Sequence, residues 1–317
     1  MSHSILTAGL QAAVDRFRPM RGGEVARYIP ELAHADPELF GVAACGIRGV
    51  RAGAGDEHVT FSIQSVSKPF VYALALMDQG LDEVLEHVGA EPSGDAFNAI
   101  SLEPHTGRPA NPMINAGAIA TTALVRGADG DERFDRVLDL MSRCAGRTLT
   151  VDERVHASES ATGDRNRALA YLMAASGSLA PPVEAAVDTY FRQCAVLVSA
   201  HDLAAMAATL ATGGTNPVTG ERVLPEDVTR HVLSIMATCG MYDYSGRWML
   251  TVGLPAKSGV SGGLIAVSPG KFGVGVFSPP LDERGNSVRG VAALRALSER
   301  LGLHLLHDPM REAPALT

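Results

Sequence analysis

Cysteine and long apolar runs are scarce in this chain of 317 residues. No apolar run approaches the roughly 18 residues of a membrane-spanning helix, so we expect no membrane span. Charged residues, among them Asp15 and Arg18, occupy the positions where a signal peptide needs an apolar core. The 4 cysteines are widely separated and lack the paired spacing of a zinc or redox site. These absences predict a cytoplasmic protein with reduced thiols.

Positive charge is also scarce, and almost all of it is arginine. The net charge of −8 and the lack of a basic run argue against a nucleic-acid partner and favour a small molecule. Only three of the 27 basic residues are lysines: Lys68, Lys257 and Lys271. Because lysine, unlike arginine, can lose its proton near neutral pH, these three are candidates for chemistry.

Strand patterns lie near both ends of the chain and helical patterns lie between them. A helix is predicted over residues 5–17, followed by β-prone runs at 41–47 and 59–63, which a glycine-rich turn at 49–55 would join as a hairpin. Further helices are predicted over 70–79, 115–126, 131–144, 152–175, 182–194, 200–212, 225–238 and 287–301. Strands are predicted at 248–254, 262–268 and 272–278.

This order predicts an α/β fold of the α+β type, in which an antiparallel sheet built from both chain ends is flanked by helices. We expect a single domain over residues 1–317 with two lobes. Residues 1–64 and 240–317 would form the sheet lobe, and residues 65–239 an inserted helical lobe, with the active site between them.

Ser65 and Lys68 have the Ser-x-x-Lys spacing at the start of a predicted helix. Pro69 is tolerated only in a first helical turn, so Ser65 should lie near the helix N-terminus with Lys68 one turn later. A nucleophile would suit that place, but for the motif taken alone a serine N-cap followed by a solvated lysine is the favoured explanation. Ser268 and Lys271 share the spacing, yet the intervening Pro-Gly predicts a tight turn without chemistry.

A second motif, Lys257-Ser258-Gly259, follows the predicted strand at 248–254. Its combination with Ser-x-x-Lys is found in penicillin-recognising serine enzymes, and two of the three lysines lie in the two motifs. The Ser-Asp-Asn tripeptide of those enzymes does not occur in this sequence. The pattern therefore favours a serine nucleophile acting on something other than a lactam.

The sequence resembles the serine-dependent glutaminase family, which has a β-lactamase/transpeptidase-like fold. The matching runs are residues 28–32, 64–68, 91–94, 111–118, 163–166, 213–214, 219–224, 239–243, 255–263, 278–282 and 285–287. They extend over most of the chain, which makes the resemblance far more specific than any single motif.

The resemblance implies a role for each of several residues. Ser65 would attack the carboxamide of L-glutamine, Lys68 or a tyrosine would act as base, and Tyr242 with Tyr28 would transfer protons to ammonia and water. The backbone N–H groups of Ser65 and Val260 would form the oxyanion hole. Substrate-binding roles fall to Asn115, Glu159, Asn166 and Tyr190, and supporting roles to Lys257, Ser258 and Gly259. Taken alone, each tyrosine is better explained as a core residue than as a catalytic one. Glu159 and Asn166 are equally well explained as parts of a capped loop.

The resemblance also implies no metal and no organic cofactor, and a homodimer or homotetramer. Two alternatives remain open at this point. One is a penicillin-type hydrolase or esterase on the same fold, and the other is an amino-acid sensor that binds without catalysis.

Overall fold

Two antiparallel sheets form the framework of the protein, whose computed structural model describes residues 3–95, 99–180 and 182–307. The strands in these ranges are β1 (Gly41–Gly46), β2 (Arg51–Gly55), β3 (Phe61–Ser62), β4 (Thr150–Val151), β5 (Val196–Val198), β6 (Ala256–Ser258), β7 (Gly263–Ser268) and β8 (Phe272–Phe277). The larger sheet has the order β2-β1-β8-β7-β6, and the smaller has the order β3-β5-β4.

Helices cover these sheets. In the same ranges they are α1 (His3–Phe17), α2 (Lys68–Gln79), α3 (Leu81–His87), α4 (Asn115–Leu124), α5 (Gly130–Ala145), α6 (Glu153–Thr162), α7 (Asp164–Ala175), α8 (Val183–Cys194), α9 (Ala200–Ala211), α10 (Glu226–Cys239), α11 (Ser245–Thr251) and α12 (Val288–Leu301). Among the helices of the described residues, none is both long and apolar enough to cross a membrane.

The larger sheet joins the two ends of the chain. Strand β1 lies between β2 and β8, so that Gly41 is opposite Gly55 on one side and Phe277 on the other. Strands β8, β7 and β6 complete the sheet through antiparallel pairing. The predicted antiparallel sheet assembled from both chain ends is therefore confirmed.

Helix α9 packs closely on this sheet because the facing strand positions are glycines. A Cβ atom at Gly273 would lie 2.2 Å from the backbone nitrogen of Ala208, and one at Gly275 would lie 2.2 Å from the carbonyl oxygen of Ala200. Only a residue without a side chain permits such an approach.

The largest apolar cluster is shared by both predicted lobes. Phe61, Ile265 and Phe277 of the sheet lobe pack in one buried group with Phe70 of α2 and Leu203 of α9. The aromatic rings of Phe61 and Phe277 are stacked with their centroids 3.9 Å apart. Burial of this cluster thus links the inserted helices to the sheet.

The predicted hairpin is wrong in its second strand. Residues 51–55, predicted as the turn, form β2 and pair with β1. Of the predicted strand at 59–63, Phe61 and Ser62 form strand β3, which pairs with β5 in the smaller sheet. The run Arg-Ala-Gly-Ala-Gly has the composition of a turn, but its two alanines alternate into the core as a strand requires.

Two further element predictions are corrected. Residues 245–251 form helix α11 where a strand was predicted at 248–254, and the strand that carries Lys257 begins only after Pro255. Trp248 is buried, and its indole N–H donates to the Leu254 carbonyl at 2.7 Å. These tertiary contacts favour a helix here despite the β propensity of the sequence. The single helix predicted over 152–175 is two helices, α6 and α7, separated at Gly163. The other predicted helices are confirmed to within 2 residues.

Candidate active site

Ser65 lies in a 3₁₀ turn, Gln64–Ser67, that leads directly into α2. The smaller sheet positions this turn, because the Ile63 N–H donates to the Val196 carbonyl of β5 at 2.7 Å. The Ser67 hydroxyl donates to the Gln64 carbonyl at 2.8 Å and closes the turn. Ser65 is 6% exposed and stands at the entrance of a helix, as the Ser-x-x-Lys spacing predicts.

Lys68 is the first residue of α2 and is fully enclosed, with 1% of its surface exposed. Its Nζ donates to the Asn115 side-chain oxygen at 2.7 Å and to the Met113 carbonyl at 3.3 Å. Burial lowers the pKa of Lys68 to about 8. A substantial fraction of this amine is therefore neutral at a mildly alkaline pH, the state in which it can accept a proton.

Tyr242 approaches Ser65 from the other part of the chain. Its hydroxyl donates to the Ser258 carbonyl at 2.9 Å. Burial raises the pKa of Tyr242, and a hydrogen bond with the Ser65 side chain opposes that rise. The phenol is thus a protonated donor at neutral pH.

Backbone strain is concentrated at this site. Among the described residues, the only non-glycine residues with positive φ are Gln64 at 49° and Tyr242 at 57°. Such conformations cost about 1–3 kcal/mol each and persist where the surrounding structure imposes them. Both strained residues are adjacent to, or in contact with, Ser65.

Strand β6 holds the second lysine motif against the Ser65 turn. A Cβ atom at Gly259 would lie 3.0 Å from the Ile63 carbonyl oxygen, so this glycine permits the close approach. Lys257 is fully buried, its Nζ donates to the Ser258 carbonyl at 2.6 Å, and it lies 4.1 Å from the centroid of the Tyr242 ring. Burial, and then the charge of Lys68, lower the pKa of Lys257 well below its usual value. The lysine accordingly favours its neutral form.

Val260 follows this motif at the edge of the sheet. Among the backbone hydrogen bonds formed within residues 3–95, 99–180 and 182–307, none is donated by the Val260 N–H. A cleft of about 800 Å³ lined by Ala26, Tyr28 and Val260 opens beside it. A second cleft of about 400 Å³ is also lined by Val260 and includes Ser62.

Three polar side chains from different helices form a network beside Lys68. Asn115, the first residue of α4, donates through Nδ2 to the Asn166 side-chain oxygen of α7 at 3.1 Å. The Tyr190 hydroxyl of α8 donates to Asn115 Oδ1 at 3.2 Å. Three residues that are far apart in sequence therefore meet on one side of Lys68.

Glu159 of α6 is buried at 5% exposure, and its Oε2 has no hydrogen-bond partner. Burial raises its pKa to about 8, opposed by a hydrogen bond from Gln64 and by the charge of Lys68. A buried carboxylate oxygen without a partner is costly, so Oε2 is suited to a cationic group supplied from outside.

Tyr28 stands at the rim of the cluster, with 54% of its surface exposed. The pKa of its hydroxyl is nevertheless raised well above the usual value, first by the protein that surrounds the hydroxyl and then by the charges of Glu159 and Tyr242. The ring thus spans from solvent to the interior of the site.

Two residues of the site were not predicted from spacing. Gln64 carries the backbone strain and a polar group directed at Glu159. Cys194 is buried at the end of α8, where hydrogen bonds with Tyr190 and Ser67 oppose the rise that burial causes in its pKa. Gln64 is adjacent to Ser65 in the matching run, whereas no pattern in the sequence distinguishes Cys194 from an ordinary buried thiol.

The predicted control motif is confirmed as a turn. Strand β7 ends at Ser268, the Lys271 N–H donates to the Ser268 carbonyl at 3.0 Å, and β8 begins at the next residue. The same four-residue spacing thus gives a helix entrance at Ser65 and a strand-connecting turn at Ser268.

The chain is similar to known proteins over most of its length. A protein-family model described as Glutaminase matches residues 23–306. A curated glutaminase of Nostoc sp. is 52% identical over 290 residues, which cover 92% of this chain and 87% of that protein.

Solved structures give the same result. A structure of Mglu in its tris and glutamate form has a TM-score of 0.93 and 51% identity, covering 97% of this chain and 69% of that chain. A probable glutaminase from Bacillus subtilis, complexed with 6-diazo-5-oxo-L-norleucine, has a TM-score of 0.88 and 34% identity, covering 95% and 97%. The likeness therefore includes both the sequence and the arrangement of the chain.

Proposed function

Because this chain belongs to the glutaminase family, whose members hydrolyse glutamine to glutamate and ammonia, we propose that it acts through a glutamyl ester on Ser65. The β-lactamase-like fold predicted for it is confirmed by its structural relatives. The observation that supports the ester most directly is the buried Ser65, which is hydrogen-bonded to Tyr242 and precedes the buried Lys68 by three residues.

In the first half of the reaction, the Ser65 oxygen bonds to the carboxamide carbon and gives its proton to the neutral amine of Lys68. The lowered pKa of Lys68 supports the lysine as base over the tyrosines, whose pKa values are raised. The negative oxygen of the tetrahedral intermediate accepts hydrogen bonds from the Ser65 and Val260 N–H groups. The C–N bond then breaks, and Tyr242 supplies a proton to the departing ammonia.

In the second half, water attacks the ester carbon, Lys68 returns its proton to the Ser65 oxygen as glutamate leaves, and the attacking water gives a proton to the Tyr242 phenolate. Tyr28, at the rim, assists Tyr242 in moving this proton. Lys257, Ser258 and Gly259 support the step by holding Tyr242, since the Tyr242 hydroxyl donates to the Ser258 carbonyl.

The two charged ends of the amino acid need opposite partners. We assign the ammonium group to Glu159, whose buried Oε2 is without a hydrogen-bond donor. Asn115, Asn166 and Tyr190 offer amide and hydroxyl donors for the carboxylate. The relatives solved with glutamate and with the amino-acid analogue support a pocket for this class of ligand.

We further propose that the enzyme is cytoplasmic and assembles as a homodimer or homotetramer. The four free cysteines, all of them buried, suit a reducing compartment. Light scattering of the purified protein measures the oligomeric state directly.

Ammonia release from L-glutamine, compared between the wild type and Ser65→Ala, tests the proposal. Loss of the nucleophile should lower kcat by at least about 10³-fold. Folding should be unchanged, because the Ser65 side chain forms no helix cap. Ser268→Ala is the matched control, since that serine has the same spacing to a lysine and should keep full activity.

A covalent readout separates a nucleophile from a structural serine. Incubation with 6-diazo-5-oxo-L-norleucine should add the reagent, less N₂, to the peptide that contains Ser65 in wild type and in Ser268→Ala. Labelling of Ser65→Ala to the same extent, or substantial turnover by that variant, would contradict the nucleophile assignment. Asparagine, assayed in parallel, reports the specificity for the side-chain length.

A further inference from the structure

A cluster of two histidines and one carboxylate lies outside the active site. It consists of Glu57 and His58, which follow β2, and His201, the second residue of α9. One ligand atom of each residue lies within 4.8 Å of the others. Within the described residues, this is the one group of three or more potential metal ligands that converge in this way.

The two histidines face each other directly. Their rings are stacked with centroids 4.7 Å apart and an interplanar angle of 24°. His58 Nε2 lies 3.8 Å from a Glu57 carboxylate oxygen. Two imidazoles and a carboxylate are therefore gathered at one point between a loop and a helix.

The strand beside the cluster leaves space for it. A Cβ atom at Gly53 of β2 would lie 2.8 Å from His201 Nε2 and 2.7 Å from the Glu57 side chain. Any larger residue at this position would therefore press on two of the three ligands. Glycine at position 53 therefore leaves the room that the side chains of Glu57 and His201 occupy.

We propose that Glu57, His58 and His201 form a binding site for a divalent transition-metal ion such as Zn²⁺. Imidazole nitrogens with one carboxylate suit Zn²⁺, Co²⁺, Ni²⁺ or Cu²⁺, whereas Mg²⁺ and Ca²⁺ prefer oxygen ligands alone. Water completes the coordination on the exposed side, where the His58 side chain is 80% exposed.

Small side-chain movements complete the geometry. In a tetrahedral zinc site, ligand atoms at about 2.0–2.2 Å from the metal are about 3.3 Å from one another. The ligand atoms here lie within 4.8 Å, so the exposed His58 side chain must move inward by an ångström or so. The half-buried His201 stays in place on α9.

The protonation state and charge of the site are compatible with a cation. Burial, and then the neighbouring His58, lower the pKa of His201, which keeps its imidazole neutral and able to coordinate. Arg51 is a nearby positive charge, and the Glu57 carboxylate opposes it within the cluster. A bound ion would tie the loop after β2 to the start of α9.

Isothermal calorimetry of the metal-free protein titrated with ZnCl₂ tests the site. We expect one equivalent to bind and the thermal midpoint to rise with Zn²⁺ concentration, because the ligand binds only the folded state. Loss of even an outer-shell partner weakens metal sites about 10–100-fold, so His58→Ala and His201→Gln should each weaken binding at least about tenfold.

His105→Ala is the matched control, because His105 is an exposed histidine away from the cluster. Because His58 is exposed, His58→Ala should fold normally. This variant therefore tests the site even if His201→Gln is unstable. Gly53→Ala should also weaken Zn²⁺ binding by filling the space beside His201.

Three results would overturn the proposal, two of them in the Zn²⁺ titrations. One is Zn²⁺ binding weaker than about 1 mM in the wild type, and the other is binding that neither histidine variant alters. A Co²⁺ spectrum with thiolate charge-transfer bands would also overturn it, since the metal would then be bound by cysteine. None of these readouts depends on glutamine hydrolysis, so they stand apart from the assignment of Ser65.

Discussion

The burial of Lys68 gives the proposed mechanism a pH dependence. Since burial lowers its pKa to about 8, the neutral fraction that can accept the Ser65 proton increases as the pH rises through that value. We expect kcat/KM for glutamine to rise with pH and to level off above about pH 8. A pH–rate profile of ammonia release measures this. Lys68→Arg should be inactive throughout, because a guanidinium does not lose its proton. A profile that is flat between about pH 6 and pH 9 would exclude Lys68 as the base.

We expect Glu159 to strengthen substrate binding and to lower the free energy of unfolding. Its folded pKa of about 8 lies above the ordinary value of 4.5, so the native state binds its proton more tightly than the unfolded state does. This group therefore costs stability progressively as the pH rises from about 4.5 to about 8. Glu159→Gln should raise KM for glutamine and, without ligand, should gain thermal stability relative to wild type over that window.

Melting curves at several pH values, together with KM, check both effects. Glu153→Gln is the control on the same helix, because that side chain is 82% exposed and should change neither quantity. A KM equal to that of wild type in Glu159→Gln would contradict the ammonium assignment.

Much of the site could be predicted from sequence because its residues lie in short motifs of unusual composition. Lys68 and Lys257 are two of the three lysines in the sequence, and both are buried at the candidate site. The strain at Gln64 and Tyr242 could not be predicted, since positive φ at these residues results from packing between distant segments. Cys194 was missed for the same reason, because only the fold brings α8 beside Ser67.

At the level of elements, the contact of α9 with β8 depends on glycine. Gly275→Ala would place a Cβ atom 2.2 Å from the Ala200 carbonyl oxygen, so either the helix or the strand must shift. Overpacking of this kind costs about 1–3 kcal/mol or more of unfolding free energy. Chemical denaturation measures it.

Gly46→Ala in β1 is the matched control, since the nearest atom to its Cβ would be 3.7 Å away. It should change the free energy of unfolding by no more than about 0.5 kcal/mol. Equal stability of the two variants would mean that α9 and the sheet can separate without cost.

Elements with a strong periodic pattern were predicted well, and those defined by tertiary contacts were not. Strands β7 and β8 are apolar runs on either side of a Pro-Gly turn, which is an unambiguous local signal. Strand β2 consists mainly of alanine and glycine, and its conformation depends on pairing with β1. Helix α11 has a β-prone sequence that burial of Trp248 overrides.

For the molecule as a whole, the two predicted lobes should unfold together. Trp248 is the single tryptophan and is buried in the sheet lobe, so its fluorescence reports on that lobe. Helices α2 to α10 lie within residues 65–239, so far-UV circular dichroism reports mainly on the helical lobe.

Denaturant titrations followed by both signals should give the same midpoint, because one apolar cluster and the α9 contact join the lobes. Two separate midpoints would show that residues 65–239 form an independent unit. The division of residues 1–317 into lobes would then become a division into domains.

The position of β1 between β2 and β8 has a consequence for synthesis on the ribosome. Roughly 230 residues separate β1 from its partner β8. At about 5–20 residues per second, β8 leaves the ribosome roughly 10–50 s after β1. During that interval the nascent chain can form the β1–β2 hairpin, but the other edge of β1 has no native partner and is open to pairing with another chain. Folding during synthesis should therefore be most prone to aggregation in this interval, before the final strands have been made.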